Sequence, residues 1–343
     1  MTELRKQTDK QTVLEVEDLH TYFEIKKWGF LHEGYVRAVD GVDLEIEEGE
    51  SVSLVGESGC GKSSLAKTIL GIHSPREGKI KFRGKILDFD DEEIMKSYQG
   101  KTGFVQQDPY SALPPFMSIQ RILEEPMIVN GIKDRSERIS RIERVMQELK
   151  LTPTGDYLGK FPHMLSGGQQ QRVVLARSLV LNPDLLLADE PVSMLDASVR
   201  VEILELIEKI QKERDLAVIY ITHDLSTVRY FSSRILVMYG GMIVEKSPVV
   251  KLLKNPAHPY TMALLEAISE PDAANAERLK EVPPGEPPSL MDPPAGCRFH
   301  PRCRYLIDEV CRTEIPPEFE ISQERSVSCW LYREGRQPED VEL

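Results

Sequence analysis

No run of about 18 apolar residues occurs anywhere in the 343-residue chain, so no segment reads as a membrane-spanning helix. The first ten residues, Met1 to Lys10, lack the apolar stretch of a secretory leader, which predicts a chain that stays in the cytoplasm. Positive charge is in deficit: 43 Lys and Arg stand against 56 Asp and Glu, for a formal net charge of −13. Duplex-binding domains rest on a basic face, so nucleic acid is not the expected partner. Cysteine is scarce and unevenly placed. Of five, Cys60 sits in a glycine-rich stretch, while Cys297, Cys303, Cys311 and Cys329 crowd toward the C-terminus. In a chain read as cytoplasmic, such a cluster points to a metal site before a disulfide set. No internal repeat of 20–50 residues is visible.

Hydrophobic residues make up 41% of the chain, enough for an ordinary core, and charged residues 29%. The length predicts about two domains, or one large domain with an appendage. Val13 to Glu17 and Val42 to Glu47 alternate apolar and polar residues, as half-buried strands do. The stretch between them, with Trp28, Gly29, Phe30, His32 and Gly34, reads as an irregular hairpin insertion. Ser51 to Val55 is a short apolar run ending at Gly56, and Ser63 to Leu70 follows as a helix. Further strands are predicted at Leu185–Ala188, Ala217–Ile221 and Arg234–Met238, with a helix over Val199–Lys212. Strands alternating with helices predict an α/β core built on a largely parallel sheet. Residues from about 92 to 162 lack strong strands and read as a helical insertion. Proline crowds Pro283 to Pro294, which excludes a helix or a central strand there. It marks a linker or an extended packed segment.

Gly56-Glu57-Ser58-Gly59-Cys60-Gly61-Lys62-Ser63-Ser64 fits G-x-x-x-x-G-K-[ST] between a strand and a helix. The glycines let successive N–H groups turn inward as an anion nest, and the helix adds the positive end of its dipole. Lys62 would reach the β- and γ-phosphates and Ser63 would hold Mg²⁺. Cys60 occupies one of the variable positions of this loop. Leu185-Leu186-Leu187-Ala188-Asp189-Glu190 is an apolar strand ending in two acids. Carboxylates there need a partner such as a metal ion. Asp189 would hold Mg²⁺, and Glu190 would face the attacking water as general base or positioner.

Leu165-Ser166-Gly167-Gly168-Gln169-Gln170-Gln171-Arg172 resembles the signature sequence of the ATP-binding-cassette superfamily. Physically it is a second glycine turn at a helix start. The resemblance implies a P-loop NTPase (RecA-like) core with a helical subdomain and an antiparallel β subdomain, over residues 13–255. It also implies that Ser166, Gly167, Gly168 and Gln169 close on the γ-phosphate held by another subunit, completing two sites in a head-to-tail dimer. Gln107 resembles the glutamine that senses Mg²⁺ and water, with Gln106 its rival. Ser193-Met194-Leu195-Asp196 resembles the D-loop, with Met194 where a small residue is usual. His223 resembles the switch histidine at the γ-phosphate. The adenine stack falls on Phe23, with Tyr35 and Tyr22 as alternatives.

The resemblance continues past the cassette. Asn255-Pro256-Ala257-His258-Pro259-Tyr260-Thr261 and Gly296-Cys297-Arg298-Phe299-His300-Pro301-Arg302-Cys303 resemble the tail of ATPases in the dipeptide/oligopeptide/nickel importer group. That group implies a small cysteine-containing extension over 256–343. It implies a [4Fe–4S] cluster on Cys297, Cys303, Cys311 and Cys329, with Zn²⁺ the alternative, although these spacings are longer than those of ordinary zinc sites. It implies a chain at the cytoplasmic face of the cell membrane, paired with a second, related ATPase. Two membrane permease subunits and an extracytoplasmic solute-binding protein complete the assembly. Peptides are the first expected solute, and nickel or oligosaccharides the alternatives. A soluble cassette protein of DNA repair or translation is a competing reading. Lys62 and Ser166 are 104 positions apart, which leaves no room for the long coiled coil such proteins insert.

Overall fold

The computed structural model describes residues 11–28, 31–267 and 285–335. The leader reading at Met1–Lys10, the Gly29-Phe30 pair, and Pro283 with Pro284 lie outside them. The chain divides into two compact units. One holds Leu44–Ser51 and Ile80–Tyr220 with the chain up to Glu15; the other holds Val16–Asp43, Val52–Lys79 and the chain from Ile221 onward.

The first unit is organised on three strands in the order β8-β7-β6, β6 being Thr102–Val105, β7 Leu185–Asp189 and β8 Ala217–Thr222. β6 and β7 run parallel, with Thr102 opposite Leu185 and Val105 opposite Ala188. Every residue of β7 and β8 is buried. Runs without alternation suit strands covered on both faces. Helices α3 (Pro109–Ala112), α4 (Ile119–Val129) and α5 (Arg135–Glu148) pack around α7 (Gly167–Leu179), which also packs on β6 and on α8 (Ala197–Arg214). The apolar side of α7, with Val173, Leu175 and Ala176, is sealed.

In the second unit five strands follow the order β11-β12-β10-β9-β3. β3 (Ser51–Val55) and β9 (Arg234–Tyr239) are parallel, Val52 opposite Arg234 and Val55 opposite Val237. β10 (Met242–Pro248) returns antiparallel to β9. The tail then extends this sheet. β12 (Arg325–Val327) pairs antiparallel with β10, and β11 (Phe319–Ser322) with β12. Helix α1 (Lys62–Ile69) follows β3, and α11 (Pro259–Ala267) carries Tyr260 into a core with Val55, Val237, Tyr239 and Phe299.

Two expectations need correction, and one open pair of alternatives is decided. The hairpin between the first two predicted strands is extended over its described residues, not irregular: β1 runs Thr12–Lys27 and β2 Leu31–Glu47. The two are neighbours in a sheet, and their partial exposure blurs the alternation that would have marked them. The span from 92 opens with α2 (Glu92–Gln99) and then the core strand β6, so its helical run starts only at α3. Four residues of sequence Thr-Gly-Phe-Val are too short to show a period. The proline-rich run, over its described part, is the packed alternative and not a free linker: Arg37 N–H donates to Leu290 O at 2.8 Å.

Candidate nucleotide site

The candidate phosphate loop, residues 56–64, lies in the second unit and is shaped by close backbone approach. Gly61 has φ +111°, and a Cβ there would stand 2.0 Å from the Ala38 carbonyl oxygen. A Cβ on Gly56 would stand 2.2 Å from Met238 O. Only glycine fits either place. Gly61 is also the N-cap of α1 and supplies no side-chain cap to the first amides of the helix. Lys62, 6% exposed, donates to Gly56 O at 2.9 Å and to Glu57 O at 2.8 Å. Ser63 is exposed, Ser58 and Gly59 stand at the rim, and Ser64 is half-buried behind them. Cys60 is buried beneath the loop, and burial raises its thiol pKa. Its placement suits packing rather than metal binding. The donor set fits a polyphosphate with Mg²⁺.

The same unit carries the aromatic candidates. Tyr22 O–H donates to Asp40, and burial together with that carboxylate pushes its pKa up to about 12. The Arg76 guanidinium lies 4.7 Å from the Tyr35 ring centre and 5.1 Å from that of Tyr22. Phe23 meets His73 edge-on at 5.0 Å. His223 is exposed at the turn after β8, beside Asp224, whose N–H donates to Thr222 Oγ1 at 3.0 Å.

The first unit holds the carboxylates. Asp189 ends β7 and is 9% exposed. Glu190 follows with φ +47°, an uncommon left-handed conformation for a glutamate. Gln107 Nε2 donates to Glu190 Oε2 at 3.0 Å. The structure therefore joins Gln107, and not Gln106, to the catalytic candidate. Ser193 Oγ donates to Glu190 O at 3.1 Å, which ties the D-loop to the same residue. Met194 is exposed, as is Asp196 at the start of α8. Ser166 N-caps α7 in a capping box: Gln169 N–H donates to its Oγ at 3.4 Å, and Ser166 N–H donates to Gln169 Oε1 at 3.0 Å. A Cβ on Gly168 would stand 2.6 Å from Val199 Cγ1. Ser166 remains exposed, with Gly167 and Gly168 half-exposed beside it.

A scan against protein-family profiles matches residues 39–193 to "ABC transporter" and residues 244–311 to "Oligopeptide/dipeptide transporter, C-terminal region". The oligopeptide transport ATP-binding protein AppF of Bacillus subtilis (strain 168) is 39% identical, over 94% of this chain and 98% of that one. The chain belongs to the ABC transporter family. This ABC chain is also 37% identical to the dipeptide transport ATP-binding protein DppF of Escherichia coli (strain K12), over 97% of it and 98% of DppF. Among solved structures, the dimeric MJ0796 bacterial ABC transporter cassette matches with a TM-score of 0.61 at 29% identity, over 69% of this chain and 98% of that one. The activity of this ABC chain is ATP hydrolysis coupled to transport.

The tail thiols are all free, with no disulfide among them. Burial raises Cys297 and Cys303 to about 11 and raises Cys329 as well. Among the described residues, however, no three or more His, Cys, Asp or Glu are disposed to hold a metal ion. As placed, the thiols do not fit a cluster or zinc, and no step is assigned to either.

Sequence reading missed the residues that bind the tail to the phosphate loop. Arg302 forks onto Glu57, with Nη1 at 3.0 Å from Oε2 and Nη2 at 3.3 Å from Oε1. The Tyr260 hydroxyl oxygen accepts from Glu57 N–H at 2.7 Å. Arg298 donates to Gly240 O and to Asp40. The available signal is a pair of arginines, Arg298 and Arg302, set between Cys297 and Cys303.

Proposed function

We propose that this chain is the ATP-hydrolysing subunit of a peptide importer, working at the cytoplasmic face of a cell membrane under separate permease subunits. The observation that carries the catalytic part is the 3.0 Å bond from Gln107 to Glu190 beside buried Asp189. Lys62 takes up phosphate charge and the uncapped amides of α1 receive the phosphate oxygens. Ser63 and Asp189 are the residues that would hold Mg²⁺, which when bound would neutralise phosphate charge. Glu190 takes the proton of the attacking water or orients it, and Gln107 fixes that carboxylate. His223 donates toward the γ-phosphate. Phe23 is the first choice to stack on adenine, with Tyr35 the alternative, and Asp196 lies at the subunit contact. Ser166, Gly167, Gly168 and Gln169 complete the site of a partner cassette, most simply a related second ATPase. Peptide as solute is supported by the names of AppF and DppF.

A [4Fe–4S] cluster, or zinc, on the four tail thiols rests on the resemblance alone, and the placement of the described residues speaks against it. Iron, sulfide and zinc analysis of protein purified without oxygen tests it. About four irons per chain would uphold the resemblance against the placement; four titratable thiols and no metal would uphold the placement. For the function itself, membrane vesicles holding the assembled transporter should take up peptide only with ATP. ATP-driven uptake of nickel or an oligosaccharide, with no response to peptide, would reassign the solute.

A further inference from the structure

The loop between Cys297 and Cys303 turns tightly: His300 N–H donates to Cys297 O at 3.0 Å and Arg302 N–H to Phe299 O at 3.0 Å. Phe299, 3% exposed, anchors it edge-on against Tyr239 with ring centres 5.3 Å apart. Two arginines leave this loop in different directions. Arg302, its side chain 7% exposed, forks onto the Glu57 carboxylate. Arg298, its side chain 4% exposed, reaches Asp40 of β2, which also accepts from Tyr22 O–H and faces His20 Nδ1 at 2.9 Å.

Glu57 is held at all its polar groups. Its carboxylate takes Arg302, its N–H donates to Tyr260, and its carbonyl accepts from Lys62 at 2.8 Å. A variable position in an exposed loop has no need of such fixing. A buried guanidinium that merely wanted a counter-ion would not require a separate tyrosine on the same residue's amide.

We propose that Arg298 and Arg302 make the cysteine loop a two-pronged staple that positions the nucleotide-binding face: Arg302, with Tyr260, sets the phosphate loop through Glu57, and Arg298 sets the aromatic hairpin through Asp40. This rests on the reading of residues 56–64 as the phosphate loop. These are positioning residues, since they act through Glu57 and Asp40. The fork is a charge-assisted, bidentate pair, which fixes orientation as well as distance.

Nucleotide affinity of the full-length protein tests it, with ATP and inorganic tripolyphosphate as probes and circular dichroism as the check on folding. Arg302→Met, which keeps the bulk, and Glu57→Gln should each weaken both probes by about tenfold, and the double variant should be no worse than either single. Asp40→Asn should weaken ATP and leave tripolyphosphate, which has no base, unchanged. If Arg302→Met does not fold, half-exposed Glu57→Gln carries the test alone. Folded variants that bind as the wild type does, or losses that add in the double, would overturn the staple. Wild-type protein that binds neither probe would instead overturn the phosphate-loop reading beneath it.

Discussion

Glu190 carries two marks at once: a left-handed backbone and a hydrogen bond from Gln107. A strained glutamate persists where its surroundings over-determine it, and such outliers gather at functional sites. Glu190→Gln keeps the shape but not the base. It should still bind ATP, with turnover in the assembled transporter lower by roughly 100-fold or more; near-normal turnover would remove the role from this residue. Gly61→Ala should abolish nucleotide binding, because the added methyl meets a carbonyl and not a movable side chain. A normal affinity by isothermal titration would show that the loop yields. His258 adds a pH effect. It is fully buried, its Nδ1 accepts from Tyr260 N–H at 3.0 Å, and burial pushes its pKa down to about 3. The unfolded chain takes its proton near the ordinary histidine value, so His258 favours folding above about 6.5 and that advantage falls as pH drops toward 3. Urea midpoints measured from pH 7 to 5 should fall, and His258→Gln should flatten the slope. An unchanged slope would contradict the assignment.

Helix α7 shows an element serving two ends. Its capping box spends the Ser166 oxygen and the Gln169 side chain on the helix itself. Ser166→Ala should therefore cost about 1 kcal/mol of stability. If Ser166 also serves a partner's phosphate, ATPase activity of the assembled dimer should fall well beyond that loss, while ATP affinity of the isolated chain stays the same. Equal activity would confine Ser166 to capping. At this scale legibility followed burial and length. β7, β8 and β9 are readable because unbroken apolar runs of four or five residues are bounded by polar residues or turns. β6 and β12, of four and three residues, carry too little pattern to be seen. β1 and β2 read shorter from the sequence because their outer halves are largely exposed, Leu31 at the start of β2 among them, and break the alternation.

Across the whole molecule, the chemical motifs were legible because phosphate binding demands glycine, lysine and carboxylate at fixed spacing. The role of the tail was not, because Arg298, Arg302 and Tyr260 meet Asp40 and Glu57 only through long-range folding. Which aromatic faces adenine was left open by the sequence, and Tyr22 is now seen committed to Asp40. No helix among the described residues is long and apolar enough to cross a membrane. The most direct measurement is uptake of a labelled peptide by vesicles of the reconstituted transporter, with wild-type chain or with Glu190→Gln. ATP-dependent uptake with the wild type and its loss with Glu190→Gln is the predicted result. Equal uptake with both, or uptake that continues without this chain, would contradict the assignment of the chain as the motor.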